Sequence, residues 1–322
     1  MGKSKYIFAV ASIRAREKNL LSDQDVQTMA GMKDSKAVVS YLTERGWGTN
    51  ADSNDAESVL STEEEKVDRI LQDLGVDPFV VDVLSYRDQF HNLKAAVKVV
   101  CTGVDDPNAF YENKTLPPNE LVIAVRDGDF DKLPSYMRKA AKEAKDILLS
   151  TRDGQRCDVI IDRACLDAME NAADSSDPFI RDYAESMVAV TNIKVAVRAC
   201  RTKRSYSTIV AALAPCRSFD TGELARAAAL NIDAVYEYLT RKGFAAAVDA
   251  IKESFSAFER WCDNQTMEMI LPEKHVIDSS GPVVAFYLAR KNEIQMARII
   301  ITAKDNGFPD SAISERVRKM YG

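Results

Sequence analysis

"NLKAAVK", residues 92–98, returns as "NIKVAVR" at 192–198, an interval of 100 residues. The match extends upstream, where Asp77-Pro78-Phe79 is answered by Asp177-Pro178-Phe179 and Asp82 by Asp182. Over the 22 positions from Asp77 to Lys98, eight are identical to their partners: Asp77, Pro78, Phe79, Asp82, Asn92, Lys94, Ala96 and Val97. Two unrelated amphipathic helices share an apolar rhythm, but not a proline, an asparagine and a lysine in register. The chain therefore contains an internal repeat. A fainter third copy stands near the end, where Glu293, Ile294 and Ala297 answer Asn192, Ile193 and Ala196 at an offset of 101 and Pro282 lies near the helix start. At the other end "ASIRAREKNLL" aligns more weakly, with Ile13 on Leu93 and Arg14 on Lys94.

The spacing of apolar residues around these copies is helical. Val81, Leu84, Phe90, Leu93, Val97 and Val100 follow the 3.6-residue period, as do Val284, Tyr287, Ile294, Ala297 and Ile301. With only 13 glycines and 10 prolines in 322 residues, the composition also favours helices over short strands and turns. The fold class is all-α. Short helices are expected from Ser22 to Gly31 and from about Lys33 to Gly46, at Leu121–Val125, 132–149, 207–213, 222–228 and 232–239. "STEEEKVDRILQDLG" reads as a helix capped by Ser61 or Thr62, with Glu63–Glu65 in its first turn and Gly75 as its stop. A single longer helix is expected through "AAAVDAIKESFSAFERWCDNQTMEMIL". Residues 1–76 make a first module, completed by the C-terminal helices 281–322; residues 77–176 make a second and 177–280 a third.

The net charge of −6 and an isoelectric point near 5.3 leave no overall basic field for nucleic acid. The six cysteines, at 101, 157, 165, 200, 216 and 262, form no C-x-x-C pair and read as reduced thiols. "MGKSK" shares only three residues with a phosphate-binding loop and lacks the preceding glycine and strand. His91 and His275 are the only histidines and read as structural or surface groups. Asp105 and Asp106 beside Pro107 read as a turn. No metal, cofactor or catalytic residue is expected, and no stretch is long and apolar enough to span a bilayer.

With these features in place, the chain resembles a known family: the C subunit of bacterial and archaeal V/A-type ATPases, similar to the d subunit of the eukaryotic vacuolar ATPase. The resemblance rests on "DVIIDRACLDAM", "VTNIKVAVRACRTKRSYSTIVAAL", "ASIRAREKNLLSDQDVQTMAG" and most specifically "FYLARKNEIQMARIIITAKDNGFPDSAISERVRKMYG", and covers essentially the whole chain. It implies three similar helical domains around a pseudo-threefold axis, shaped as a funnel. It implies a non-catalytic role as a central-stalk socket between the rotor shaft and the membrane proteolipid ring. The partners would be those two components, and the location cytoplasmic, peripheral on the inner face of the membrane. Candidate contact residues are Arg14, Asn92, Lys94, Asn192, Lys194, Arg201, Lys203 and Arg204. Two readings stay open for them. The Asn–Lys pairs either fix helix packing or line a cavity that meets the shaft, and the cluster at 201–204 either complements a helix end or forms a protein contact. A free-standing helical-repeat adaptor is the rival function.

Overall fold

The three copies of the repeated segment are long helices of nearly equal length, Pro78–Thr102, Pro178–Arg201 and Gly281–Asp305, with 25, 24 and 25 residues. This computed structural model describes residues 3–49, 55–104, 106, 109–111, 116–172 and 177–322, and no strand occurs among them. Asp105 and Pro107 lie outside the described residues, as do Met1 and Gly2 of the "MGKSK" segment. In chain order the helices are α1 (Lys3–Glu17), α2 (Asp23–Ala30), α3 (Ser35–Glu44), α4 (Ala56–Asp73), α5 (Pro78–Thr102), α6 (Pro118–Asp127), α7 (Ser135–Thr151) and α8 (Gly154–Ala172). There follow α9 (Pro178–Arg201), α10 (Tyr206–Ala212), α11 (Thr221–Leu230), α12 (Ile232–Arg241), α13 (Ala245–Glu253), α14 (Phe255–Ile270), α15 (Gly281–Asp305) and α16 (Asp310–Ser314). The chain divides into two compact units, one of Met1–Asp77 with Ala245–Gly322 and one of Pro78–Phe244.

Local chemistry sets the helix boundaries. Ser22 caps α2 through a full capping box with Asp25, Asp34 caps α3, and Asp177 caps α9 with Pro178 in the first turn. Three sequence expectations are corrected. Ser61 and Thr62 do not start α4: Asp55 accepts from the Ser58 N–H six residues earlier, so both hydroxyls sit inside the helix and bond back to the Ser58 carbonyl. The Glu63–Glu65 run is therefore in mid-helix, not at a cap. The long helix expected through 245–271 is two helices, because Ser254 turns extended (φ −169°) and caps α14 through the Ala257 N–H. Lys132 ends a separate 3-10 turn, and α7 begins after Pro134.

In the first unit α15 is the central element. It packs on α1, α2, α3, α4, α14 and α16, burying Ile294, Ala297 and Ile300 against Leu21, Met29, Val38, Leu42 and Val67, and its first turns bury Val283, Val284 and Phe286 as well. Segments from the two ends of the sequence thus share one apolar core, and burial of this kind contributes about 1.5–3 kcal/mol per large side chain. Residues 245–280, which the repeat grammar groups with 177–244, belong to this same unit. In the second unit α5 and α9 both pack on α8, and α5 also on α6 and α7. The alanine–valine pair of the repeat is buried in both copies: Ala96 and Val97 on α5, Ala196 and Val197 on α9.

Candidate partner-contact residues and a buried charge cluster

The repeated asparagines are occupied by the chain's own backbone. On α5, Asn92 is 1% exposed; its Nδ2 donates to the Tyr111 carbonyl at 2.8 Å while its Oδ1 accepts from the Tyr111 N–H at 2.9 Å. On α9, Asn192 is fully buried and does the same with Ala214, at 2.8 and 3.1 Å. Each amide pairs with the residue as a neighbouring strand would, pinning the loop after α5 in one copy and the link after α10 in the other. His91, one residue before, places its Nε2 3.0 Å from the Ala109 carbonyl and its ring against Tyr111, in the same loop.

The third copy has a carboxylate where the others have an amide. Glu293 is 1% exposed, and its Oε1 accepts from the Leu21 N–H at 2.5 Å. A carboxylate brings a charge that an amide does not, and Arg290 meets it one turn earlier on α15. That guanidinium bonds Glu293 Oε2 through Nη1 and Glu63 Oε2 through Nη2 at 2.6 Å, and lies over the Trp47 ring with its Cζ 4.8 Å from the centroid. Glu63 in turn accepts from the Gly48 N–H at 2.9 Å and from Lys66 at 2.6 Å. Burial pushes the Glu293 carboxyl up to about 7, against the pull of Arg290 and of the Leu21 N–H. Close by, burial opposes ionisation of Asp25, but hydrogen bonds from Tyr41 and Ser22 and the charge of Arg45 hold it below the usual carboxylate range.

Arg14 faces inward as well. It pairs with Glu17 at 2.7 Å, and its Nη2 donates to the carbonyls of Glu273 and Val276 at 2.7 and 2.8 Å, tying α1 to the segment before α15. Lys94 reaches Asp162 on α8 at 2.5 Å, and one turn on Lys98 reaches Asp158 at 2.8 Å, so α5 and α8 run antiparallel with a ladder of ion pairs between them. Lys194 is half-buried at the equivalent place on α9. Arg201, Lys203 and Arg204 are exposed, and Arg204 donates to Gln155 Oε1 at the start of α8. The structure thus brings Arg201, Lys203 and Arg204 together on one surface and disperses the other candidates among helix contacts.

The sequence reading missed Glu63 and Arg290. Their signal is positional: Glu63 falls between Val59 and Val67 on the apolar stripe of α4, and Arg290 between Phe286 and Ile294 on that of α15. A charge in an apolar stripe asks for a buried partner. Above this cluster, in the same unit, is a cleft of about 360 Å3 lined among others by Arg16, Arg45, Trp47, Lys66, Arg69 and Arg290. Among the described residues no three His, Cys, Asp or Glu side chains are grouped to hold a metal ion. Burial pushes the Cys157 thiol up to about 11 and that of Cys165 up to about 12.

This arrangement, long helices repeated with a buried polar clamp in each, is an all-α scaffold. Residues 9–316 match the sequence model of the ATP synthase (C/AC39) subunit family, and the chain belongs to that family. It is also similar to the C subunit of the V-type sodium ATPase of Enterococcus hirae, 21% identical over 328 residues that cover 96% of this chain and 97% of that protein. Among the described residues no helix is long and apolar enough to cross a membrane.

Proposed function

We propose that this chain is a non-catalytic central-stalk component of a V/A-type ATPase, a socket that couples the rotor shaft of the catalytic head to the membrane proteolipid ring. Family membership along residues 9–316 is the observation that carries the reading. The polar clamps support it, because a part that transmits torque must resist twisting between its helices, and Asn92, Asn192 and Glu293 each lock a long helix to a neighbouring segment. The division into modules 1–76 with 281–322, 77–176 and 177–280 around a common axis belongs to the same proposal as a division by sequence repeat, while by contact residues 245–280 group with the unit of the chain ends. So does a location on the inner face of the membrane, held there by protein contacts. Of the residues expected at contacts, Arg201, Lys203 and Arg204 are the exposed ones.

The test is a pull-down of the tagged chain from detergent-solubilised host membranes, read by mass spectrometry. Recovery of shaft and proteolipid components together is expected. A well-folded chain that brings down neither would return the protein to the class of free-standing helical adaptors.

A further inference from the structure

One end of the second unit gathers cations and apolar tips from α5, α7, α8, α9 and α10. The Lys98–Asp158 pair sets the end of α5 beside the start of α8, the Arg204–Gln155 bond adds the end of α9, and the short link through Arg152 and Asp153 adds the end of α7. Arg152, Arg156, Arg201, Lys203 and Arg204 are all exposed there; the acids of the same segments are the exposed Asp153, Asp158 paired with Lys98, and the exposed Asp106 two residues after Val104. Among them stand exposed apolar side chains: Val104 (67%), Leu149 (53%), Tyr206 (44%) and Val210 (39%). A chain of net charge −6 has concentrated five cations at one end of one unit.

Backbone conformation points the same way. Arg152 (φ 58°) and Lys203 (φ 53°) are the non-glycine residues in the left-handed region among those described, and both lie on this end. Each follows a helix, where glycine or asparagine would adopt that conformation at lower cost. Gly103 does so after α5. The chain keeps a long, exposed cation at the other two positions.

We propose that this end of the second unit docks on the anionic phospholipid headgroups of a bilayer surface. Scattered single apolar tips between long basic side chains suit a fluid partner, which closes around each tip while the guanidinium and ammonium groups meet phosphate. A protein partner needs matched pockets, and its affinity concentrates in a contiguous central patch. The proposal goes beyond the stalk function, and its assay needs no ATPase partner, so the two stand or fall separately.

The test is co-sedimentation of the full-length chain with vesicles of phosphatidylcholine alone or with about one third phosphatidylserine, at physiological and at high salt. Binding is expected only to the anionic vesicles and is expected to weaken with salt. The variant Arg152→Gly/Lys203→Gly should melt no lower than the parent, since it relieves two left-handed positions, yet bind anionic vesicles about fivefold less tightly per cation removed. A second variant, Leu149→Ser/Tyr206→Ser, should also lose binding. Equal sedimentation with both vesicle types, or undiminished binding by the glycine variant, overturns the proposal. So does a glycine variant that loses its neighbours in the ATPase while the parent never binds vesicles; the face is then a protein contact.

Discussion

Asn92 and Asn192, 100 positions apart, make the same pair of hydrogen bonds to the backbone of one loop residue, Tyr111 in one case and Ala214 in the other. This sameness explains why the asparagine survives in both copies when most of the surrounding positions have changed. Only a side chain with a donor and an acceptor in one plane can answer both groups of a single residue.

Removing the clamp leaves a buried donor and acceptor unpaired. Asn192→Ala should lower unfolding free energy by about 2–4 kcal/mol, since each orphaned buried group costs about 1–3 kcal/mol. Asn92→Ala should cost about half as much, because Tyr111 is 53% exposed and water can reach its backbone. Asn192→Asp accepts but cannot donate, and should fall below Asn192→Ala by bringing an unpaired charge. Urea unfolding of the four proteins checks the order.

The Arg290 bridge gives the largest expected effect. Arg290→Met leaves the Glu63 and Glu293 carboxylates buried without their shared cation and should cost about 3–5 kcal/mol. Adding Glu63→Gln and Glu293→Gln to that variant should restore part of the loss, since the amides need no countercharge. A triple variant no more stable than Arg290→Met alone would show that the stacking on Trp47, not the ion pairs, carries the energy.

How much of this was legible follows from the range of each interaction. The long helices announced themselves through Pro78, Pro178 and the shared Asn-x-Lys, because a helix start and an amphipathic period are local. The break at Ser254 was not legible, since a serine inside an otherwise helical pattern is tolerated until its backbone turns extended. The start of α4 was misplaced because Ser61 and Thr62 look like caps in isolation, while Asp55, followed by the buried Val59 and Leu60, begins the helix a turn and a half earlier. The Glu63–Arg290 pair spans 227 positions, and no local pattern names such a partner. Among the candidate contact residues, exposure decided which are available to a partner, and exposure of a polar residue depends on the packing of distant segments.

Glu293 makes stability depend on pH in the opposite sense to most carboxylates. Its folded value, about 7, lies above the ordinary 4.5, so the folded state holds a proton that the unfolded chain has given up between those values. Its contribution is full below about 4.5 and falls as pH rises to about 7. Asp25 and Glu185, both held low, act in reverse and lose their contribution only in acid. The unfolding midpoint should therefore peak on the mildly acidic side, and Glu293→Gln should flatten the decline towards pH 7. Denaturant midpoints across that range, for parent and variant, measure the slope directly; an unchanged slope in the variant assigns the titration to another group.

Gly48 tests how closely α4 is held against the loop that carries Trp47. It sits at φ +66°, its N–H donates to Glu63, and a Cβ built there would come within 2.8 Å of Val59 Cγ2. Val59 is buried on α4, so it cannot swing away as a surface side chain would. Gly48→Ala should lose about 2–4 kcal/mol, from the left-handed backbone and the overlap together. Gly243→Ala, at φ +89° with nothing near its would-be Cβ, should lose only the backbone part, about 1 kcal/mol. Pairing Gly48→Ala with Val59→Ala separates the two effects: the overlap is relieved, the left-handed strain stays, and a new void costs about 1–2 kcal/mol of its own. If thermal or urea unfolding shows Gly48→Ala no worse than Gly243→Ala, the loop has moved away from α4 without cost, and the Gly48–Glu63 bond is not what positions the carboxylate for Arg290.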